Sequence, residues 1–398
     1  MERLPGNWDG MVVVCGGTSW DGVPGSERHV AERLTEHAPV LFVDPPLSHL
    51  TGRRHPHLQP SLQGPRLRLV RPGLARLTPV ALPGMTRAGM HVVTEQLVRR
   101  SIRRAVRTLG GKVRAMVVGT YAVYFGAGDE ELRVVYATDD FVAGASLMGV
   151  GAARLRRDER RQARQADVVL AVSPALCGKW RDLGQRPVLV PNGSDADHYA
   201  AADDAPMPTD VSLPSPVCGV VGHISARIDL DLLEAVADRG RSLLLVGPRD
   251  PGYEPERLDR LLARPNVCWV GQKPFAELPS YLGCIDVGLT PYAESEFNLA
   301  SFPLKTLEYL AAGRAVVATD LPAVRWLDTD LISVASGPAD FADAVDRALV
   351  EPNPRDLKAR RHAFAVSHSW SARTDQVAEI LGLEARRSTP REAALARG

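Results

Sequence analysis

FPLKTLEYLAAGRAVVATD, residues 302–320, reads as one helix and one strand joined by a glycine turn. Ser301 stands as an N-cap, Pro303 as an early-turn proline, and Gly313 follows the last apolar helical residue, so these signals predict a short helix over 303–311. AVVATD at 315–320 opens with a continuous rather than alternating apolar run, the mark of a strand covered on both faces in a parallel sheet. Leu304, Leu307, Glu308 and Ala311 fall on one helix face at i, i+3, i+4 and i+7, which sets a carboxylate in an apolar stripe. A glutamate there needs a partner. Lys305 is the local one, although lysine preceding glutamate is the weaker order on a helix. A vicinal diol such as a ribose is the other, since a carboxylate accepts two hydrogen bonds from it; Lys305 and the helix start would then serve a phosphate. The residues alone leave both open.

The same grammar extends outward on both sides. VCGVVGH at 217–223, SLLLVGP at 242–248, VCWVGQ at 267–272 and DVGLTPY at 286–292 lead up to it. The N-terminal half has its own series: MVVVCGG at 11–17, VLFVD at 40–44, AMVVGT at 115–120, RVVYATDD at 133–140 and DVVLAVS at 167–173. Such strands, separated by helix-length segments, predict an α/β protein of two Rossmann-like, doubly wound parallel-sheet domains. The length of 398 residues agrees, at roughly 150–200 residues per domain. An Ala/Asp/Pro-rich stretch at 200–216 precedes the restart, so the expected domains are 1–200 and 201–365, with a final helix at 366–385 and a tail at 386–398. Residues 51–90, rich in Pro, Arg and Gly, read as an irregular insertion. Each half opens with a strand closing on glycine, Gly16-Gly17 and Gly222, which suits a tight turn facing a ligand. No GxGxxG follows either strand, which argues against a dinucleotide-dependent dehydrogenase.

With 45% hydrophobic and 24% charged residues, the chain is an ordinary globular one. Its five cysteines, Cys15, Cys177, Cys218, Cys268 and Cys284, show no CxxC pairing, which speaks for reduced thiols and against a disulfide framework or zinc site. MVVVC is too short for a signal core or a membrane span, predicting a cytoplasmic protein. The net charge of +1 hides an asymmetry: residues 51–164 hold 21 basic and 8 acidic side chains. That excess would draw a membrane surface or a phosphorylated substrate, or it decorates solvated helix faces; no nucleic-acid tail is implied.

LKTLEYLAAGRAVVATD resembles the donor-site motif of retaining GT-B glycosyltransferases of the GT4-type superfamily, where a glutamate precedes a small-residue turn and a strand. AD…VSP…PNGSDADHY, at 166–199, is similar to that family's domain-linking segment, and PNVCWVGQKPFAELPSYLGCIDVGLTPY, at 265–292, to its nucleoside-pocket region. TSWDGVPGSERHVAERL with VLFVDPP, within 18–46, resembles a subgroup that includes teichuronic-acid-type transferases. The resemblance spans most of the chain except 51–110. It implies two domains facing a cleft, the donor on the C-terminal one and the acceptor on the N-terminal one. It also implies retaining transfer from a nucleotide-diphosphate sugar to a polysaccharide precursor, glycolipid or small natural product, with no metal or other cofactor. The final helix would start near Trp370 and cross back to the first domain.

Residue by residue, the resemblance implies that Glu308 binds the nucleotide ribose, that the backbone at Ser301 and Phe302 faces the diphosphate, and that Lys305 reaches a phosphate. Arg227 would stabilise the leaving diphosphate, its ordinary alternative being a surface pair with Asp229 or Asp231. Gly222 and His223 are expected beside phosphate, Lys273 beside the base, and Gly16 and Gly17 near donor phosphate or acceptor. Asp139 and Asp140 stand where the family often has a histidine on the donor sugar; a helix N-cap explains at least one of them, and a metal-binding reading is disfavoured. One departure is plain: eight positions before Glu308, where the family usually has a second glutamate, this chain has Ala300, with Glu294 and Glu296 as nearby substitutes. Two rivals remain, a sugar-nucleotide epimerase of the same fold and a non-catalytic protein binding through its basic surface. Base, sugar, acceptor and oligomeric state are not legible.

Overall fold

The computed structural model describes residues 5–22, 24–48, 62–84 and 89–384, so the expected tail at 386–398 lies outside it. The chain divides into two compact units. One holds the chain up to Val172, Leu176–Pro191 and the chain from Arg373; the other holds Ser173–Ala175 and Asn192–Ala372.

The first unit is built on β1 (Met11–Cys15), β2 (Val40–Val43), β3 (Leu67–Arg71), β4 (Leu74–Leu77), β5 (Val113–Val118), β6 (Leu132–Ala137), β7 (Val168–Ala171) and β8 (Val188–Leu189). They form one sheet in the order β3-β4-β2-β1-β5-β6-β7-β8, parallel except for the β3–β4 pair. The apolar runs fill its centre; every residue of β1 and β2 is buried. Strand order reverses between β1 and β5, the point where an open α/β sheet leaves a crevice at its carboxyl ends.

The expected irregular insertion at 51–90 is corrected in part. Residues 67–77 form a hairpin turning at Gly73 (φ +77°), and β4 extends the sheet by pairing with β2, Val40 opposite Leu74. Leu74, Ala75 and Leu77 are buried, but strands of five and four residues interrupted by arginines carry too little periodicity to be read locally. Residues 51–61 and 85–88 lie outside the described residues.

The second unit holds β9 (Val217–Val221), β10 (Ser242–Val246), β11 (Val267–Trp269), β12 (Val287–Thr290), β13 (Ala315–Thr319) and β14 (Ile332–Ala335), parallel in the order β11-β10-β9-β12-β13-β14. Here the order reverses between β9 and β12. Leu243, Leu245, Leu289 and Val317 form its core with Leu233 and Val236 of α1 (Leu230–Asp238) and Phe341 and Val345 of α2 (Pro338–Val350).

The helix of the opening stretch runs Leu304–Ala311 and sits on this switch point through Tyr309. A Cβ on Gly288 of β12 would lie 2.2 Å from the Tyr309 ring, so only glycine admits the ring against the strand. The Tyr309 hydroxyl accepts from the Val221 amide (2.7 Å) and donates to the Leu289 carbonyl (3.3 Å), tying β9, β12 and the helix together. Ser301 is not the N-cap. Pro303 holds that position, and the Ser301 hydroxyl donates backwards to the Phe297 carbonyl (2.8 Å), closing the preceding helix Glu296–Ala300.

The single helix expected over 366–385 is Trp370–Ile380, preceded by a separate helix at Arg355–Ser367. Trp370 is buried in the second unit, where a Cβ on Gly193 would lie 2.5 Å from its amide nitrogen. From Arg373 on, the chain belongs to the first unit: Gln376 donates to the Leu189 carbonyl (3.0 Å), and Arg114 to that of Leu381 (3.1 Å). Among the described residues no helix is long and apolar enough to cross a membrane. All five cysteines are free thiols.

Candidate functional site

At the β9/β12 switch point of the second unit lies a cavity of about 160 Å³, lined by Gly222, His223, Arg227, Thr290, Tyr292 and Lys305 among others. Gly222 follows β9 with φ +156° and donates its amide to the Val246 carbonyl (2.8 Å); His223 beside it is exposed. Thr290 is buried, and its hydroxyl has no hydrogen-bond partner.

Among the described residues Arg227 is held without a counter-ion. Its guanidinium lies 4.9 Å from the Phe297 ring centroid and 5.4 Å from that of Tyr292, and its Nε donates to the Asn298 side chain (3.0 Å). Asn298 is fully buried and donates in turn to the Arg227 and Ala293 carbonyls (2.9 and 2.8 Å), fixing the loop that carries the arginine. The surface-pair alternative fails because its acids are engaged elsewhere: Asp229 caps α1 by accepting from the Asp231 amide, and Asp231 pairs with Arg257. Among the described residues no carboxylate pairs with Arg227. An unneutralised guanidinium on a half-buried wall is a standing invitation to an anion.

Glu308 is buried, and Lys305 donates to its Oε2 at 2.7 Å. Of the two partners open from the sequence, the structure displays the local one. A second group, invisible in the sequence, also meets this carboxylate: burial and the Glu308 charge, to which it is hydrogen-bonded, push the Tyr199 phenol upward.

The other expected donor contacts do not converge here. Lys273 pairs with Asp210 and lies 5.0 Å from the centre of the Tyr281 ring. Phe302 is buried with its ring edge-on to Trp326. Ala300 is buried, its carbonyl accepting from the Ser173 hydroxyl (2.5 Å), while Glu294 and Glu296 are exposed and do not line the cavity.

Comparison with known proteins shows what the second unit is similar to. Residues 215–351 match the model of the family Glycosyl transferases group 1. The second unit carries a glycosyl transferases group 1 domain. A curated relative from Bacillus subtilis (strain 168), named "Putative teichuronic acid biosynthesis glycosyltransferase TuaH", is 31% identical over 204 residues, 49% of this chain and 50% of the relative. The match thus spans about half the length of the curated relative.

Among solved structures, sucrose-phosphate synthase from Thermosynechococcus elongatus superposes with a TM-score of 0.73 at 16% identity, covering 93% of this chain and 98% of that one. Anabaena HepE, solved with UDP and glucose, gives 0.67 at 15% identity, covering 94% and 99%. These likenesses establish the GT-B fold of two Rossmann-like units.

Outside the glycosyl transferases group 1 domain, the first unit repeats the switch-point device. Gly16 and Gly17, after β1, line a cavity of about 170 Å³ together with residues that follow β2 and β5. Asp140 does not line it: one oxygen accepts from the Val142 and Ala143 amides (3.0 and 2.9 Å) and from Lys179 (2.7 Å), which fixes a turn, while the N-cap of the helix Ala145–Met148 is Gly144 and not either aspartate. Asp139 lines a much smaller cavity with Tyr136 and Glu159.

Glu27 was not singled out by the sequence. It is buried, accepts from the Gly17 amide (3.2 Å), and occupies space that Cβ atoms on Gly119 and Gly25 would invade at 2.3 and 2.8 Å. Burial, with Asp139 adding repulsion, pushes its carboxyl up to about 7. Because the folded pKa lies above the unfolded one, the native state binds more protons between about pH 4.5 and 7, and stability falls as pH rises through that window. Glu27→Gln should therefore gain on the wild type by up to about 3 kcal/mol between pH 5 and 8. Urea unfolding at both pH values reads this directly; parallel losses in the two proteins would refute it.

Proposed function

We propose that the protein is a retaining glycosyltransferase that takes a sugar from a nucleotide-diphosphate donor held in the second unit and passes it to an acceptor hydroxyl held in the first. The observation that carries this reading is Arg227, a guanidinium without a counter-ion at the β9/β12 switch point, beside Lys305 and the unpartnered Thr290 hydroxyl.

On this reading the donor diphosphate lies against Arg227 and Lys305, with the nucleotide ribose on Glu308. Binding exchanges the Lys305–Glu308 pair for two others: the ammonium turns to phosphate, and the carboxylate accepts the ribose hydroxyls. In transfer the bond from the anomeric carbon to the diphosphate oxygen breaks. The departing oxygen takes the acceptor proton on the same face of the sugar, and the new glycosidic bond forms there, so no protein nucleophile is required. Charge grows on the leaving diphosphate, and preorganised cations there lower the barrier without any resident metal.

With Ala300 in place of a carboxylate, the sugar is recognised by other groups. HepE was solved with UDP and with UDP-glucose, which makes uridine diphosphate sugars the first donors to try, and the teichuronic acid relative favours a cell-envelope glycan acceptor.

A thermal-shift panel of UDP, GDP, ADP and dTDP and their sugars tests the donor site. One nucleoside diphosphate should stabilise the wild type by about 2.7 kcal/mol at a hundredfold excess over Kd. Glu308→Ala should lose most of that shift while keeping its own melting temperature. If Glu308→Ala instead melts early with no selective loss of nucleotide affinity, the Lys305 pair is structural and the ribose assignment falls. Donor incubated alone should stay intact or hydrolyse slowly; its conversion to an epimer would favour the epimerase.

A further inference from the structure

The first-unit cavity at the β1/β5 switch point holds buried polar groups that no described residue hydrogen-bonds. Thr94 is buried, yet its hydroxyl has no hydrogen-bond partner. Arg154, whose guanidinium lies 5.6 Å from the centre of the Tyr121 ring, has buried Nε and Nη1 groups with none, and neither has His91 at Nδ1. All three side chains line the same cavity beside Gly16 and Gly17.

The acids in that wall are already matched. Glu95 accepts from both terminal nitrogens of Arg161 (3.3 and 3.0 Å), and Asp158 accepts from the same arginine (3.2 Å). Asp158 also stands 3.5 Å from Arg154 Nε without hydrogen-bonding it. The wall thus leaves two buried Arg154 N–H groups without a hydrogen-bond acceptor, beside Thr94 and His91, whose hydroxyl and ring nitrogen can donate or accept. Buried donors left unpartnered are costly, so the group that belongs there is rich in acceptor oxygens. Arginine, which only donates, matches an oxyanion best.

We infer that the acceptor sugar carries an anionic group, a carboxylate or a phosphate ester, that docks on Arg154, Thr94 and His91. The word acceptor rests on the glycosyltransferase reading; the anion site itself does not. The group is held at the carboxyl ends of β1 and β5, and Glu27, bonded to the Gly17 amide, fixes the glycine turn that also lines the cavity.

Isothermal titration of the full chain with glucuronate, glucose 1-phosphate, methyl glucoside and inorganic phosphate decides it. At least one of the two anionic sugars should bind about tenfold or more tightly than the neutral glycoside, and which one does so tells carboxylate from phosphate. Arg154→Gln should abolish the preference and Thr94→Val should weaken it several-fold. Should Arg154→Gln fail to fold, Arg154→Lys and Thr94→Val carry the comparison.

The inference falls if methyl glucoside binds as well as both anionic sugars, if neither anionic sugar binds at millimolar concentration, or if the variants keep wild-type affinity. Inorganic phosphate binding as tightly as either sugar would leave an anion site with no sugar specificity and overturn the acceptor assignment. Nucleotide binding in the second unit is measured separately, so a protein that binds the anionic sugar and no nucleotide would sink the transferase reading alone.

Discussion

Arg227→Ala should lower kcat/KM for the donor by about two to three orders of magnitude, with much of the loss in kcat. The guanidinium lines a switch-point cavity, has no counter-ion among the described residues, and is preorganised by two aromatic rings and the Asn298 amide. Its positive charge is therefore available to a diphosphate, and its value rises as the leaving group gains charge. Arg227→Lys should recover part of the binding but less of kcat, since an ammonium cannot keep both ring contacts and the Asn298 bond. The readout is steady-state kinetics beside a melting curve. A variant with unchanged kcat/KM, or one whose loss follows its stability and reverses at lower temperature, would show the arginine to be only a brace for its loop.

Gly247→Ala should cost stability and donor affinity together. Gly247 follows β10 with φ +145°, and a Cβ there would lie 1.8 Å from the Gly222 carbonyl oxygen, a backbone atom that cannot rotate aside. The neighbours are locked: the Gly222 amide donates to Val246, and that of Gly247 to Gly271, both at 2.8 Å. Relief requires parting the ends of β9 and β10, which moves the turn carrying His223. The expected loss is about 3 kcal/mol or more. Gly240→Ala is the internal control, with φ +71° but open space around its Cβ position, and should cost only about 1–2 kcal/mol. Urea unfolding of both variants settles the comparison: equal losses would mean that backbone conformation, not overlap with Gly222, sets the cost.

The basic segment 51–164 shows how one composition permits several structures. Arg76 is buried between Asp44 (2.6 Å) and Asp21 (2.8 Å), Arg161 ties Glu95 to Asp158, and Arg154 faces the first-unit cavity. A count of charges cannot tell an internal brace from a ligand contact, because the difference lies in which acid stands opposite.

Much of the fold was legible because it depends on neighbours in sequence. Continuous apolar runs closing on glycine or on a polar residue marked β1, β2, β5, β6, β7, β9, β10, β12 and β13, since a strand buried on both faces has no polar position to alternate with. Glu308 was visible for the same reason, one carboxylate in the apolar stripe of a single helix. The β3–β4 hairpin was not, because its strands are too short to show a period and are held by pairing with β2.

The candidate site divides along the same line. Sequence by itself determined that a helix start, a lysine and a glutamate follow the DVGLTPY strand, and that glycines end the opening strand of each half. Tertiary structure alone decided that Lys305 meets Glu308, that Arg227 has no counter-ion while Asp231 belongs to Arg257, and that Asp140 serves Lys179 and two amides. It alone brought Tyr199 to Glu308, and Arg154 to Thr94, 60 positions apart in the chain. The physical reason is that period and turn chemistry are local properties, whereas a charge's role depends on which distant group the folded chain sets within hydrogen-bond reach of it.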